Sequence, residues 1–114
     1  MLKTAKWLMP QMEEGFMKKQ MFIVSFCYHG MLGGDIIADE DAITYKTGKL
    51  TIPSKYRNLR MKYSDIAYVY RDKAARLPAV SIHMKSGENY KFVFFLTRKK
   101  FFELMRSKGV TVNS

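Results

Sequence analysis

The sequence predicts a mainly β protein of one domain, completed by a single C-terminal α-helix. Three observations carry that expectation. From Met21 onward apolar and polar residues alternate with a period of two, the pattern of strands with one buried face. Clusters of turn-forming residues punctuate the alternation, at GMLGG, at Asp39-Glu40-Asp41, at Tyr63-Ser64-Asp65 and at SGEN. Only the stretch after Thr97 changes to helical spacing. The chain has 114 residues, 47% hydrophobic and 14% aromatic, which suffices for one core and leaves no room for a second domain. It is too apolar for a disordered tail, and its longest uncharged run falls short of the ~20 residues a spanning helix needs.

Residues 1–20 read as a lead-in segment, set apart from the domain proper at 21–114. Leu2, Trp7 and Leu8 share one side of a short helical stretch with Lys3 and Lys6 beside it, and Pro10 limits that helix to about two turns. Such a helix suits capping the open end of the fold better than anchoring in a membrane interface, which wants a larger amphipathic face. In MFIVSFCYH, Phe22, Val24, Phe26 and Tyr28 face one way, and Ile23, Ser25, Cys27 and His29 the other. GMLGG is expected to be a turn. GDIIADEDAITYKTG then reads as a tight hairpin about its acidic triplet, whose adjacent carboxylates lack the spacing of a metal-ligand set.

Residues 50–71 carry further strand pattern. Leu59, Met61 and Tyr63 oppose Arg60 and Lys62, and Ile66, Tyr68 and Tyr70 oppose Ala67, Val69 and Arg71. A basic loop at DKAAR leads to AVSIHMK, with Val80, Ile82 and Met84 facing in, and SGEN turns the chain into YKFVFFL. In that last strand Tyr90, Phe92, Phe94 and Leu96 share a face, while Val93 and Phe95 make the other partly apolar, so a covering element is required. The helix is expected to supply it. Thr97 is a suitable N-cap, Leu96 and Phe101 stand at hydrophobic-staple positions, and Gly109 stands at the C-cap. Phe101, Leu104 and Met105 form its apolar stripe, whereas Arg98, Lys99, Lys100, Arg106 and Lys108 read as solvated. Three of those cations crowd the first turn, against the helix dipole. The total is about seven short strands and one helix.

Twenty Lys and Arg against ten Asp and Glu give a net charge of +10, so an anionic partner is expected: a phospholipid surface, an acidic protein face or nucleic acid. The candidate binding residues are Lys55, Arg57, Arg60, Lys62, Arg71, Lys73 and Arg76, with a secondary patch at Arg98, Lys99 and Lys100. Each such cation at an anionic membrane is worth about 1 kcal/mol, enough in groups of three or four for salt-sensitive peripheral binding. Nucleic acid is disfavoured, although Tyr56 is available to stack, because no RNA-binding signature occurs and the aromatic alternation is explained by packing. A peptide added to a strand edge would leave no sequence trace.

No catalytic, metal or cofactor constellation emerges. Cys27 and His29 share a strand face, but no third group or oxyanion donor accompanies them. One cysteine and two histidines are too few for a structural zinc site. Neither GxxxxGK[ST] nor a GxGxxG before a helix is present, and Gly33-Gly34 opens a strand. A single cysteine and an N-terminus without the pattern of a signal peptide point to a cytoplasmic protein, and the basic charge is compatible with peripheral membrane association.

The hairpin GDIIADEDAITY, the segment MKYSDIAYVY, and LPAVSIHMKSGENYKFVFF followed by TRKKFFELM together resemble the pleckstrin-homology-like (PH-like) superfold, in particular its GRAM and bacterial PH-like branches. The likeness covers about residues 21 to 109. It implies a partly open seven-stranded β-barrel plugged at one end by the helix, a scaffold that binds anionic lipids or peptides and usually lacks catalytic activity. Phosphoinositide-binding members place Lys and Arg on the first two strands. SFCYHGMLGGDIIAD contains neither, so that headgroup pocket does not carry over. The expected function is therefore a non-enzymatic binding module. A regulatory protein-interaction subunit is the alternative, and a nucleic-acid binder stands third.

Overall fold

The computed structural model describes residues 20–113, so the helical reading of the lead-in lies outside the described residues. Eight strands form one mixed sheet: β1 (Gln20–Cys27), β2 (Met31–Ala38), β3 (Ala42–Lys46), β4 (Asn58–Lys62), β5 (Ile66–Ala74), β6 (Leu77–Met84), β7 (Asn89–Phe94) and β8 (Thr111–Asn113). Their order is β4-β3-β2-β1-β7-β6-β5-β8, so the sheet does not close on itself and β4 and β8 are its edges. Among the described residues two helices complete the fold, α1 (Ser54–Arg57) and α2 (Arg98–Ser107). Among the described residues no helix is long and apolar enough to cross a membrane.

The expected alternation holds along most strands. Phe22, Val24 and Phe26 of β1 are buried together with Leu59 and Met61 of β4, Val80 and Ile82 of β6, and Phe92 and Phe94 of β7. Because β4 and β5, near opposite ends of the strand order, both contribute to this one apolar cluster, the sheet must curve around it. Helix α2 enters the same cluster through Phe101, Phe102, Leu104 and Met105. It therefore covers the inner face, and not the second face that Val93 was expected to bring to it. Val93 is fully enclosed on that other side, between the small neighbours Ser25 and Ala79. Next to it Lys91 crosses its cross-strand partner Ser81 to reach the Lys73 carbonyl at 2.9 Å, laying its apolar stem over the sheet.

Several expectations fail for local reasons. There are eight strands, not seven: beyond Gly109 the chain adds β8, parallel to β5. GMLGG is not all turn. The reversal occupies Tyr28–Gly30, where His29 and Gly30 take positive φ, and Gly33 and Gly34 lie inside β2. Residues 50–71 are not continuous strand pattern, since Pro53 starts the single turn of α1. The DKAAR loop shrinks to Ala75–Arg76, because Asp72, Lys73 and Ala74 remain paired in β5. Most consequentially, the β5–β6 register shifts between Ile66 and Tyr68. This bulge puts Ile66 and Val69 on the core side, and Tyr68 is stacked instead on His83 with ring centroids 4.8 Å apart.

The ends of α2 divide in the same way. Gly109, at φ 80°, closes a Schellman motif: its N–H donates to Arg106 O at 3.0 Å and the Val110 N–H to Met105 O at 2.9 Å. At the other end Thr97 is the N-cap by position, yet its hydroxyl makes no capping bond, because its backbone (φ −124°, ψ 15°) lies outside the extended region that aims a cap. The staple is absent too, as Leu96 projects fully into solvent.

Gly34 is set by close approach. A Cβ there would fall on the Lys46 carbonyl oxygen and within 2.8 Å of the Tyr45 ring, whose hydroxyl donates to Leu32 O. Gly33, one residue earlier, faces open space. Gly34→Ala is expected to destabilise the protein by about 1–3 kcal/mol, the cost of overpacking, and Gly33→Ala by far less. Urea denaturation of the two variants checks this, and coincident midpoints would refute it.

Candidate functional site

Sequence proximity groups the candidate cations into patches, and the fold regroups them. Lys55, on α1, forms an ion pair with Glu88 of the β6–β7 turn at 3.1 Å and lies over the Tyr56 ring. Arg60, on the outer face of β4, is paired with Asp39 at 3.2 Å. Lys62 is exposed on the same face, two residues on. Arg57 is half-buried, and its Nε is enclosed without a hydrogen-bond partner among the described residues. The clefts these residues line are of mixed charge. One of about 510 Å³ sets Lys55, Arg60 and Lys85 against Asp65 and Glu88, and another of about 670 Å³ sets Arg60, Lys62, Lys85 and Lys108 against Glu40 and Asp41. Tyr56, considered for base stacking, is half-buried against the aromatic core, 5.4 Å from Phe26 and 4.8 Å from Tyr28.

A third cleft differs. About 490 Å³ in volume, it lies between α2 and the β5–β6 hairpin, lined by Arg71, Arg98, Lys99 and Arg106 with the single carboxylate Glu103. Its apolar lining is Pro78, Phe94 and Phe102, with the fully exposed Leu96 at the rim. Arg71 reaches it because the bulge returns odd-numbered residues of β5 to the inner side, and its guanidinium stands 5.7 Å from the Phe102 ring centroid. Lys73 follows on the same strand face, opposite Pro78. Arg76 is exposed at the hairpin tip, and Lys100 borders a neighbouring cleft beside Met21. The structure thus joins Arg71 to Arg98 and Lys99, which the sequence places in separate patches, and adds Arg106, which was read only as a solvated residue.

Arg98 is not solvated as expected. It donates to the Asp72 carbonyl at 3.1 Å and to the Ala79 carbonyl at 3.3 Å, tying the start of α2 to a cross-strand pair. Burial, and then the nearby Arg71 guanidinium, push its pKa below the ordinary arginine value. Among the described residues no ion pair joins Arg71, Arg98, Lys99 or Arg106 to a carboxylate. Arg98 and Lys99 therefore stand at the uncapped, positive end of the helix with Arg71 facing them from β5, where a bound anion would relieve both the repulsion and the dipole, and Arg106 lines the same cleft from the last turn.

Two other clusters have structural work. Ser81, fully buried, donates to Asp72 at 2.6 Å, and that bond is the main reason the Asp72 carboxyl is held low. Burial pushes the neighbouring Cys27 thiol up, the reverse of what activates a nucleophile. Asp39 accepts from the backbone N–H of Asp41 at 2.8 Å and of Ala42 at 2.9 Å, so the acidic triplet is a turn device, as its sequence suggested.

No family model matches the sequence, and no curated protein matches it. Among solved structures the chain is similar to the C-terminal domain of an unknown protein from Leishmania infantum, at 10% identity with a TM-score of 0.63, covering 92% of this chain and 97% of that domain. At that identity the likeness shows the fold alone.

The Asp41 and Ala42 amides, with Arg60, hold the Asp39 carboxyl below the usual carboxylate range. A lowered folded-state pKa contributes stability above the unfolded pKa of about 4 and loses it as pH falls through the folded value. Asp39→Asn keeps the turn acceptor and removes the charge. It should be less stable than the parent at pH 7, and the gap should close on acidification. Urea midpoints at pH 7 and pH 3 test this, and an equal gap at both would contradict it.

Proposed function

We propose that this protein is a non-enzymatic binding module of the PH-like, GRAM-like kind, and that it engages anionic phospholipid peripherally through the cleft between α2 and the β5–β6 hairpin. The observation that carries the reading is the cleft's composition: four cations and one carboxylate over an apolar floor, with no ion pair spent on the cations among the described residues. A phosphate-bearing amphiphile matches both halves of that lining, its anionic head on the guanidinium groups and its apolar part on Phe102 and Pro78. The order of strands, with two antiparallel runs joined at β1–β7 and a helix seated on the inner face, supports the PH-like reading of the scaffold. The basic residues around β4 fit the role less well, because Lys55 and Arg60 already have carboxylate partners.

Matched pairs of neutralising substitutions separate a site from mere net charge. Arg71→Ala with Lys99→Ala and Lys55→Ala with Arg60→Ala each remove two charges. Co-sedimentation with phosphatidylcholine–phosphatidylserine vesicles should weaken roughly tenfold or more for the first pair and at most a few-fold for the second. Binding should fall as salt is raised and vanish with neutral vesicles. Equal losses in the two pairs, or equal recovery on neutral vesicles, would overturn the reading.

A further inference from the structure

We infer that the β7–α2 connection is a membrane-inserting tip: Phe95 and Leu96, backed by Met21 and Ile23 of β1, enter the acyl region of an anionic bilayer while the lysines beside them meet its headgroups. The inference rests on the proposed phospholipid binding and goes beyond it, from a surface contact to penetration.

Met21, Ile23 and Phe95 lie on one face of the sheet, and Leu96 follows Phe95 directly in the chain. The Phe95 N–H donates to Ile23 O at 3.4 Å, which sets the tip beside β1, and Met21 lies two residues from Ile23 on the same strand face. Each is an exposed large apolar residue: Met21 63%, Ile23 61%, Phe95 44% and Leu96 102%. Single exposed apolar residues need no explanation, but a contiguous cluster marks a contact surface. Leu96 also holds φ at +71°, a left-handed conformation that suits Gly or Asn far better than Leu. The fold therefore carries a strained residue whose side chain touches no core, where a polar residue would serve the backbone better.

The surroundings select the partner. Leu96 lines the cationic cleft together with Lys99, and Met21 lines a neighbouring cleft together with Lys100, so the first-turn lysines of α2 border the patch. The nearby carboxylates are Glu103, which borders both clefts, and Asp35, across from Ile23 on β2. An apolar tip rimmed by cations complements a bilayer whose surface is negative and whose interior is hydrocarbon. A docked acidic protein would explain the lysines and leave the protruding Leu96 without a counterpart.

The test uses the full chain carrying Cys27→Ser and Leu96→Cys, labelled at the new thiol with an environment-sensitive fluorophore. Phosphatidylcholine–phosphatidylserine vesicles should shift its emission to the blue, and nitroxides on the upper acyl chain should quench it. The same label at Ser86, on the β6–β7 turn, should stay unquenched. Separately, Leu96→Asn should weaken vesicle partition about tenfold, as loss of one buried leucine contact requires. Its melting temperature should hold or rise, which separates the effect from misfolding. If the chain sediments with anionic vesicles while the label at 96 stays water-like and Leu96→Asn binds normally, insertion is refuted and the headgroup reading survives. If it does not sediment at all, both fall. A label already blue-shifted without lipid and unmoved by vesicles would mean that another segment or a second copy covers the patch, which also overturns the inference.

Discussion

The fold depends on a seam between its two halves. Strands β1–β4 form one antiparallel run and β5–β7 another, and among the described residues the strand pairing between them is Val24–Phe94, Ser25–Val93 and Phe26–Phe92. That junction closes a long stretch of chain, so few local contacts assist it. What holds it is aromatic. Phe101 of α2 meets Phe22 of β1 edge-on at 5.5 Å and Phe94 of β7 at 4.5 Å, while Phe22 and Phe94 meet each other at 5.8 Å. Burying a ring of that size contributes about 1.5–3 kcal/mol, with roughly 0.5–1.5 more from each well-set aromatic pair. The helix is therefore part of the seam, and whatever its exposed side presents is held as firmly as the core.

Much of this was legible in the sequence because burial writes itself as alternation. Phe22-Val24-Phe26 and Leu59-Met61-Tyr63 could be assigned to the core from spacing alone, as could the turns at Asp39–Asp41 and Lys85–Glu88. What could not be read depends on distant partners. Nothing in IAYVYR announces that Ala67 is the extra residue of a bulge, since that is decided by the register with β6. Three residues of β-branched character after Gly109 are too short a signal for β8. Thr97 and Leu96 have the right letters for a cap and a staple, but the backbone conformation that would use them is absent.

The candidate site shows the same division. Residue types and net charge announced an anionic partner, and the crowding of Arg98, Lys99 and Lys100 against the helix dipole was visible as a local cost. Which cations remain available was not visible, because it turns on carboxylates far away in sequence: Glu88 for Lys55 and Asp39 for Arg60. The grouping of Arg71 with Arg98 and Arg106 follows from α2 crossing the inner face beside β5, a tertiary fact. A signal was still present. Arg98 and Arg106 lie eight residues apart on one helix, a spacing that keeps both within one broad side of it.

The bulge in β5 carries a consequence for how such a chain can change over time. One supernumerary residue decides at once that Val69 is inside the core and that Arg71 stands over Phe102. A single-codon deletion there would reverse the parity of every downstream position of the strand, evicting the valine and swinging the guanidinium to the opposite side in the same event. Ligand preference and foldability are thereby linked at this strand. Descendants can exchange side chains around the cleft freely, while the length of the strand that presents them is held constant by the interior.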